Sequence, residues 1–576
     1  MSMPYSMTHH RCYLSAMLLL IMTFPAPSSA EEPKTGFMVV APDRGFVGNQ
    51  EIQTVFDEFK KAYFPASLVL VGRDYNGVGS EYSRYLGRAL GELKQEGAGP
   101  IVAVLFFLLK ADPVLQKIIR HLPSYEEAGA VRWAAPMADS YLIKQVLLDR
   151  VDAMSRDPEQ ERLLFIGFGA TDEASEAAIR SDLDPLLTYI TRRKHFKETR
   201  SILYYDRGAA EANEKNTAAD RMITATAAKK GRTLVVLAAV GPKFDHTMAL
   251  TTWFGDKFSE LDVVYGGEEL LPHPNILLWL KKTANAYVPA AEHELEVVIM
   301  PHGATLPYND AIEQVIMPLK SRYRIEVAYG MGDPAVMQHA IARLEQQGVR
   351  RIIYVRMYAL AHHLKDRTAY LLGLSDAMPE EHDDHDRALP PQIHSAALFA
   401  TFGGYEEDPR IAQILHERIT EVSREPARET VILVSHGDKS DEGNAKWLSI
   451  MQAHIERLKK DPHCAQIKSI RAATVREDWP EKREFAVADV RRMIQEGMRE
   501  GRVLVIADRL YGSGPYKNLF NGLEYTLNEK RLSHSIMTGW LEDEIGGVAS
   551  LLARPLDAPH HLAESGRGSR RSGLSR

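Results

Sequence analysis

The sequence is poor in cysteine and has no excess of basic residues. It contains two cysteines, Cys12 and Cys464, among 576 residues. This number excludes a disulfide scaffold, a cysteine-based zinc site and an iron–sulfur cluster held by this chain alone. Lysine and arginine total 70 against 77 aspartate and glutamate residues, which gives a net charge of -7. That balance argues against a broad electropositive face, so we predict no nucleic-acid partner.

Long apolar runs are also scarce, and the one near the N-terminus is typical of a targeting segment rather than a membrane span. It extends from Tyr13 to Phe24, which is short for a bilayer span. Two histidines and an arginine precede it, and prolines and small residues ending at Ala30 follow it. This is the pattern of a secretory signal peptide, with an uncleaved membrane anchor as the alternative. We therefore predict a signal peptide over residues 1–30 and an exported protein, periplasmic or secreted, with no stable membrane span after cleavage.

What the sequence does contain is a fourfold repeat, whose copies we call units one to four. Each unit has an apolar β-branched run, a turn of small residues, an amphipathic stretch, a second run, a second amphipathic stretch and a third run. The first strands begin near Gly36, Leu163, Leu295 and Thr430. The second strands are predicted at Ser67–Val71, Ser201–Tyr205, Arg324–Tyr329 and Ser469–Val475. The third strands are predicted at Ile101–Leu109, Leu234–Val240, Ile352–Tyr358 and Val503–Ile506.

Nearly continuous apolar strands that alternate with helices indicate a parallel sheet covered on both faces. We therefore predict an α/β fold of repeated, open parallel-sheet βαβαβ units, grouped as two bilobal modules. A break near residues 281–292 divides the chain into modules at 31–290 and 291–550, each with two α/β units. Residues 551–576 are predicted to form a disordered tail, because 565–576 are rich in glycine, serine and arginine.

Two histidines of unit three follow predicted strands directly. His302 comes after the first strand, and His363 lies in the loop after the third, where the adjacent His362 is the competing candidate. Ligands of open α/β sheets bind at the carboxyl ends of strands, so we expect these imidazoles to face one cleft. A neutral imidazole binds divalent cobalt, nickel, iron or zinc and also accepts a proton. The sequence therefore predicts a metal site and a catalytic role for His302 and His363.

Residues 296–544 resemble the class II tetrapyrrole chelatases, the sirohydrochlorin cobaltochelatase family often called CbiX. Three motifs carry the resemblance: His302-Gly303 with Asn309, the run Ala361-His362-His363-Leu364-Lys365-Asp366, and Ser435-His436-Gly437-Asp438 with Gly443-Asn444. The resemblance implies a cleft between two lobes and insertion of metal into a macrocycle. It also implies that His302 and His363 bind the metal and that His436 repeats the opening histidine.

The sequence departs from the family pattern in the other units. Unit four has Gly514 where the second histidine belongs, unit one has Pro42 or Asp43 where the first belongs, and unit two has Phe168. We therefore interpret 31–290 as a degenerate chelatase-like module and 291–550 as a CbiX-like chelatase module. We expect unit three to supply the site, with His436 an additional candidate that is either a relic of duplication or a polar group facing the cleft.

Weaker candidates surround these histidines. Arg356, Lys365 and Arg367 are positioned to bind substrate carboxylates, although surface charge is the competing explanation for each. The alternating acidic and histidine residues at 380–386 are either a metal-collecting loop or a solvated one.

The sequence as a whole predicts an exported chelatase that inserts a divalent metal into a tetrapyrrole such as sirohydrochlorin. The metal is the substrate, cobalt first, with iron, nickel or zinc as alternatives, and no organic cofactor is predicted. A non-catalytic protein of the same fold that binds metal or tetrapyrrole is the second hypothesis. A hydrolase using Thr305 or Ser435 is disfavoured, because no Gly-x-Ser-x-Gly motif occurs there in a strand–turn–helix context. The sequence leaves the oligomeric state open.

Overall fold

Each of the four predicted repeats forms one parallel four-stranded sheet flanked by helices. The computed structural model describes residues 33–72, 81–125, 131–170, 172–205, 211–240, 250–303, 305–377, 389–509, 512, 514–528 and 534–555. The predicted signal peptide, the stretch 380–386 and residues 556–576 of the predicted tail lie outside these ranges. None of the described helices combines the length and the hydropathy that crossing a membrane would require.

The four units contain the same eight elements in the same order. Unit one consists of β1 (Lys34–Pro42), α1 (Gly45–Lys60), β2 (Ala66–Val71), α2 (Glu81–Gln95), β3 (Ala98–Leu105), α3 (Pro113–His121), β4 (Val131–Trp133) and α4 (Tyr141–Met154). Unit two consists of β5 (Arg162–Gly169), α5 (Glu173–Thr191), β6 (Glu198–Tyr205), α6 (Ala212–Ala227), β7 (Thr233–Leu237), α7 (Leu250–Ser259), β8 (Val264–Tyr265) and α8 (Pro274–Tyr287).

The second half repeats this order. Unit three consists of β9 (Leu295–Pro301), α9 (Leu306–Ile316), β10 (Ile325–Val327), α10 (Pro334–Gln346), β11 (Arg351–Met357), α11 (Lys365–Leu371), β12 (Leu398–Gly403) and α12 (Pro409–Val422). Unit four consists of β13 (Glu429–Ser435), α13 (Asp441–Leu458), β14 (Ser469–Thr474), α14 (Pro480–Glu500), β15 (Arg502–Ala507), α15 (Tyr516–Leu519), β16 (Thr526–Asn528) and α16 (His534–Leu552).

All four sheets have one strand order, in which the second strand of the unit is followed by the first, third and fourth. Every strand pair is parallel. The predicted α/β class with repeated parallel-sheet units is thus confirmed. Each unit also has a fourth strand and a closing helix beyond the predicted βαβαβ pattern. Three of the fourth strands, β4, β8 and β16, have only two or three residues, too few for a periodic signal.

The closing helices are exchanged between neighbouring units. Helix α12 of unit three packs on β15 and β16 of unit four, and α16 of unit four packs on α9 and β11 of unit three. In α16, the Trp540 ring lies 6.1 Å from that of Phe402 and 5.8 Å from that of Tyr405, both in unit three. Helices α4 and α8 are exchanged in the same way between units one and two. Each exchange buries an apolar helix face on the neighbouring sheet.

A buried arginine connects the two pairs of units. Arg351 is 1% exposed, and its guanidinium donates hydrogen bonds to the carbonyls of Asn285, Val288, Leu552 and Arg554. The predicted tail therefore begins too early at residue 551, because α16 extends to Leu552 and the carbonyl after it is held by Arg351. The predicted break at 281–292 overlaps the last turns of α8, whose side chains contact both pairs of units.

Candidate functional site

Two His-Gly pairs occupy equivalent positions at the carboxyl ends of β9 and β13. His302-Gly303 follows β9 and His436-Gly437 follows β13, and the two glycines have φ angles of 74° and 85°. A side chain is strained at such angles. At Gly437 a Cβ atom would also lie 2.9 Å from Asn444 Oδ1. The glycine lets the chain turn directly after the strand and leaves the preceding imidazole at the sheet edge.

Both imidazoles have the same ring orientation. The Nδ1 atom of His302 lies 2.8 Å from the Gly303 carbonyl oxygen, and Nδ1 of His436 lies 2.9 Å from the Gly437 carbonyl oxygen. A carbonyl oxygen only accepts, so Nδ1 is the donor in each ring. In the neutral ring this leaves the lone pair on Nε2, the form that binds a metal ion.

The surroundings of His436 differ from those of His302. Its Nε2 lies 2.8 Å from Asp478 Oδ2. Its ring stacks on Trp447 at 6.1 Å and meets the edge of Trp479 at 5.5 Å. His436 is therefore a positioned imidazole with a carboxylate partner.

The loop that carries His362 and His363 is clamped from both sides. The guanidinium of Arg356 donates to the carbonyls of Ala361 at 2.7 Å and His363 at 3.0 Å. The amide of Ala361 donates to Glu406 Oε1 at 2.8 Å. Because Arg356 is 2% exposed and bound to these carbonyls, its predicted contact with a substrate carboxylate is wrong. It is a positioning residue for the histidine loop.

His363 lies near three other imidazoles, which belong to units three and four. Burial lowers the pKa of His363, and the nearby His362, His436 and His302 lower it further, while Asp438 opposes them. His363 nevertheless remains accessible to solvent. The lowered pKa favours the neutral ring that binds metal. His362 Nε2 lies 4.0 Å from Asp438 Oδ2, so this pair crosses the boundary between units three and four.

The structure therefore brings His436 into the cluster, although the sequence alone pointed to unit three as the source of the site. It does not separate His362 from His363 as candidates, since both rings belong to the cluster. Lys365 begins α11 two residues after His363. Arg367, in the same helix, donates from Nε to the Gly332 carbonyl at 3.1 Å. A contact of Lys365 or Arg367 with a substrate carboxylate stays a prediction.

Strained backbone marks the same place. Among the non-glycine residues that the structure describes, Leu364 and Arg476 have positive φ, at 54° and 48°. Leu364 directly follows His363, and the guanidinium of Arg476 donates to the carbonyls of Asp438 at 2.7 Å and Lys439 at 2.6 Å. Such strain costs roughly 1–3 kcal/mol per residue and concentrates at functional sites. The sequence offered no signal for Arg476, since its role depends on contacts with a distant loop.

A mainly apolar cavity that contains a few ionisable groups lies at the boundary between the two units. It has a volume of about 30 Å³, and its walls include Glu406, Arg418, Trp447, His454 and Asp508. Both ring nitrogens of His454 and the Oε2 atom of Glu406 are buried without a hydrogen-bond partner in the structure. Burial lowers the pKa of His454 and raises that of Glu406. The space is large enough for water that would bind these groups.

Comparison with known proteins adds little. No known family model matches the chain, and no curated protein matches it. Its structure is similar to the crystal structure of the periplasmic binding ribose operon repressor protein from Lactobacillus acidophilus, at 13% sequence identity. The similarity covers 46% of this chain and 92% of that chain, with a TM-score of 0.24. A similarity this distant carries no argument about function.

Proposed function

We propose that the protein is an exported chelatase that inserts a divalent metal ion, cobalt first, into a tetrapyrrole such as sirohydrochlorin. The observation that carries the proposal is that His302 and His436 follow strand ends of two units and that His363 lies close enough to both, and to His362, for these rings to lower its pKa. Imidazole is a good ligand for first-row divalent metals, and chelation needs a bound metal together with proton acceptors.

The contacts of the four rings suggest which of them bind the metal and which accept protons. His302 offers the Nε2 lone pair, and the lowered pKa of His363 favours its neutral form, so these two rings bind the ion. His362 and His436 each face a carboxylate, Asp438 and Asp478 respectively. In their neutral form these rings can accept the two protons that leave the pyrrole nitrogens when the metal enters.

Apolar side chains beside the histidines suit a flat macrocycle. Leu306 is 78% exposed and begins α9, four residues after His302. Met331 is 47% exposed and follows Gly330, whose amide nitrogen lies 3.4 Å from the Cβ position of Gly303. Exposed apolar side chains that adjoin a polar site are typical of ligand-binding surfaces. We propose that Leu306 and Met331 contact the flat face of the tetrapyrrole.

The test is a chelation assay with the purified protein, cobalt and sirohydrochlorin, followed by absorbance. His302→Ala and His363→Ala should each reduce cobalt affinity and the metal-dependent rate more than about tenfold, because loss of a ligand costs at least as much as loss of an outer partner. His436→Ala should reduce the rate more than the cobalt affinity. His339→Ala, an exposed histidine on α10, is the matched control and should change neither.

The second candidate is a non-catalytic protein that binds metal or tetrapyrrole. Units one and two favour it, because β1 ends at Pro42 and β5 at Gly169, without a histidine at the strand end. Stoichiometric binding of cobalt or sirohydrochlorin without any metal-dependent absorbance change on the time scale of turnover would contradict the chelatase and support this alternative.

A further inference from the structure

A second group of metal-ligating side chains lies far from the histidine cluster. His416 of α12, together with Asp461 and Cys464 of the segment between α13 and β14, places one donor atom from each side chain within 4.8 Å of the others. This segment precedes β14, so it lies at the edge of unit four where the strands begin. The histidine cluster lies at the opposite edge, where the strands end.

The distances are close to those of a metal site. Donor atoms of a tetrahedral zinc ion lie roughly 3.3–3.6 Å apart, given bond lengths of about 2.0–2.3 Å. His416 Nε2 already lies 3.2 Å from Asp461 Oδ1. Side-chain rotations that shift the donor atoms by about 1 Å would bring all three within bonding distance of one ion. Nitrogen, oxygen and sulfur together form a donor set that zinc accepts and that calcium and magnesium do not favour.

The local backbone holds the ligands in place before any ion arrives. Asp461 Oδ1 accepts hydrogen bonds from the amides of His463 at 2.9 Å and Cys464 at 3.1 Å, which fixes the turn. The same oxygen faces His416 Nε2. Cys464 is 1% exposed, whereas His416 and Asp461 are each about one-third exposed. An ion would therefore reach the thiol from the solvent side, with one position left for water.

We propose that His416, Asp461 and Cys464 bind a zinc-type divalent ion that ties the exchanged helix α12 to unit four. Helix α12 belongs to unit three in the chain but packs on β15 and β16. An ion held by His416 on that helix and by two ligands of unit four cross-links the exchange. A metal binds the thiolate, so Cys464 releases its proton to solvent as the metal–sulfur bond forms.

Cobalt(II) is the probe, because a cobalt–thiolate bond gives a charge-transfer absorption in the near ultraviolet that imidazole and carboxylate ligands do not give. The test uses a variant chain. Its Cys12→Ser substitution leaves Cys464 as the one thiol, and its His302→Ala and His363→Ala substitutions remove the proposed ligands of the histidine cluster. We expect one equivalent of cobalt to produce the thiolate band, zinc to displace it, and zinc to raise the thermal midpoint by several degrees.

Single substitutions in this background complete the test. Cys464→Ser should abolish the band, and His416→Ala should weaken cobalt binding at least tenfold, while His339→Ala should leave both unchanged. Circular dichroism of the metal-free variants checks that they fold. Absence of the thiolate band in the chain that carries only the three background substitutions would overturn the proposal, because this chain retains His416, Asp461 and Cys464. A band with no rise in the midpoint would refute the bracing of α12.

Discussion

Arg356→Met should loosen the histidine loop without unfolding the protein. The guanidinium donates to the carbonyls of Ala361 and His363 at 2.7 and 3.0 Å. A hydrogen bond from a charged donor contributes roughly 1.5–3 kcal/mol, so the loop loses about 3–6 kcal/mol of stabilisation. Methionine retains most of the apolar volume of the arginine stem, which limits the damage to the surrounding core. The loss is local because both acceptors belong to this one loop.

Amide hydrogen exchange measures the loosening directly, and calorimetry with cobalt measures its consequence. Every 1.4 kcal/mol corresponds to about a tenfold change in an equilibrium constant. We therefore expect exchange over residues 359–364 to accelerate at least tenfold and cobalt affinity to fall about 10–100-fold. The matched control is Arg367→Met, whose guanidinium donates to the Gly332 carbonyl and not to the loop. It should leave both quantities within about twofold.

Two results would refute this reasoning in different ways. Unchanged exchange in Arg356→Met would show that the two hydrogen bonds do not hold the loop. Faster exchange with unchanged cobalt affinity would show that the loop does not belong to a metal site, and the assignment of His363 as a ligand would be wrong.

Three further predictions concern stability. Arg351→Met should lower the free energy of unfolding by about 3–5 kcal/mol in urea titration, because four carbonyls lose their buried donor; an unchanged midpoint would contradict this. Gly437→Ala should cost more than Gly348→Ala by thermal denaturation, since both have positive φ but only Gly437 is crowded; equal losses would argue against crowding. Burial lowers the pKa of His394, so stability should fall as pH decreases below about 6.5. His394→Gln should flatten that fall between about pH 8 and 5.5, and an equal slope in both proteins would exclude His394 as its source.

The sequence alone predicted the repeat because buried parallel strands leave a local trace. Runs such as Leu163–Ile166 and Val431–Val434 are apolar on both faces of the sheet, and each precedes a turn and an amphipathic helix. The positions of His302 and His436 were predictable for the same reason, since each directly follows such a run. Periodicity identifies a buried strand and its end without knowledge of any partner.

Tertiary structure decided what those elements contact. The amphipathic pattern of α12 shows that one face is buried, but nothing local indicates that the face packs on unit four. Arg356 reads as an accessible charge beside a strand end, yet helices cover the sheet and the histidine loop folds back over its guanidinium. Likewise His416 and Cys464 come together only because α12 crosses to the neighbouring unit. Strand and helix patterns depend on neighbours in the chain, whereas these contacts depend on how units that are distant in sequence pack together.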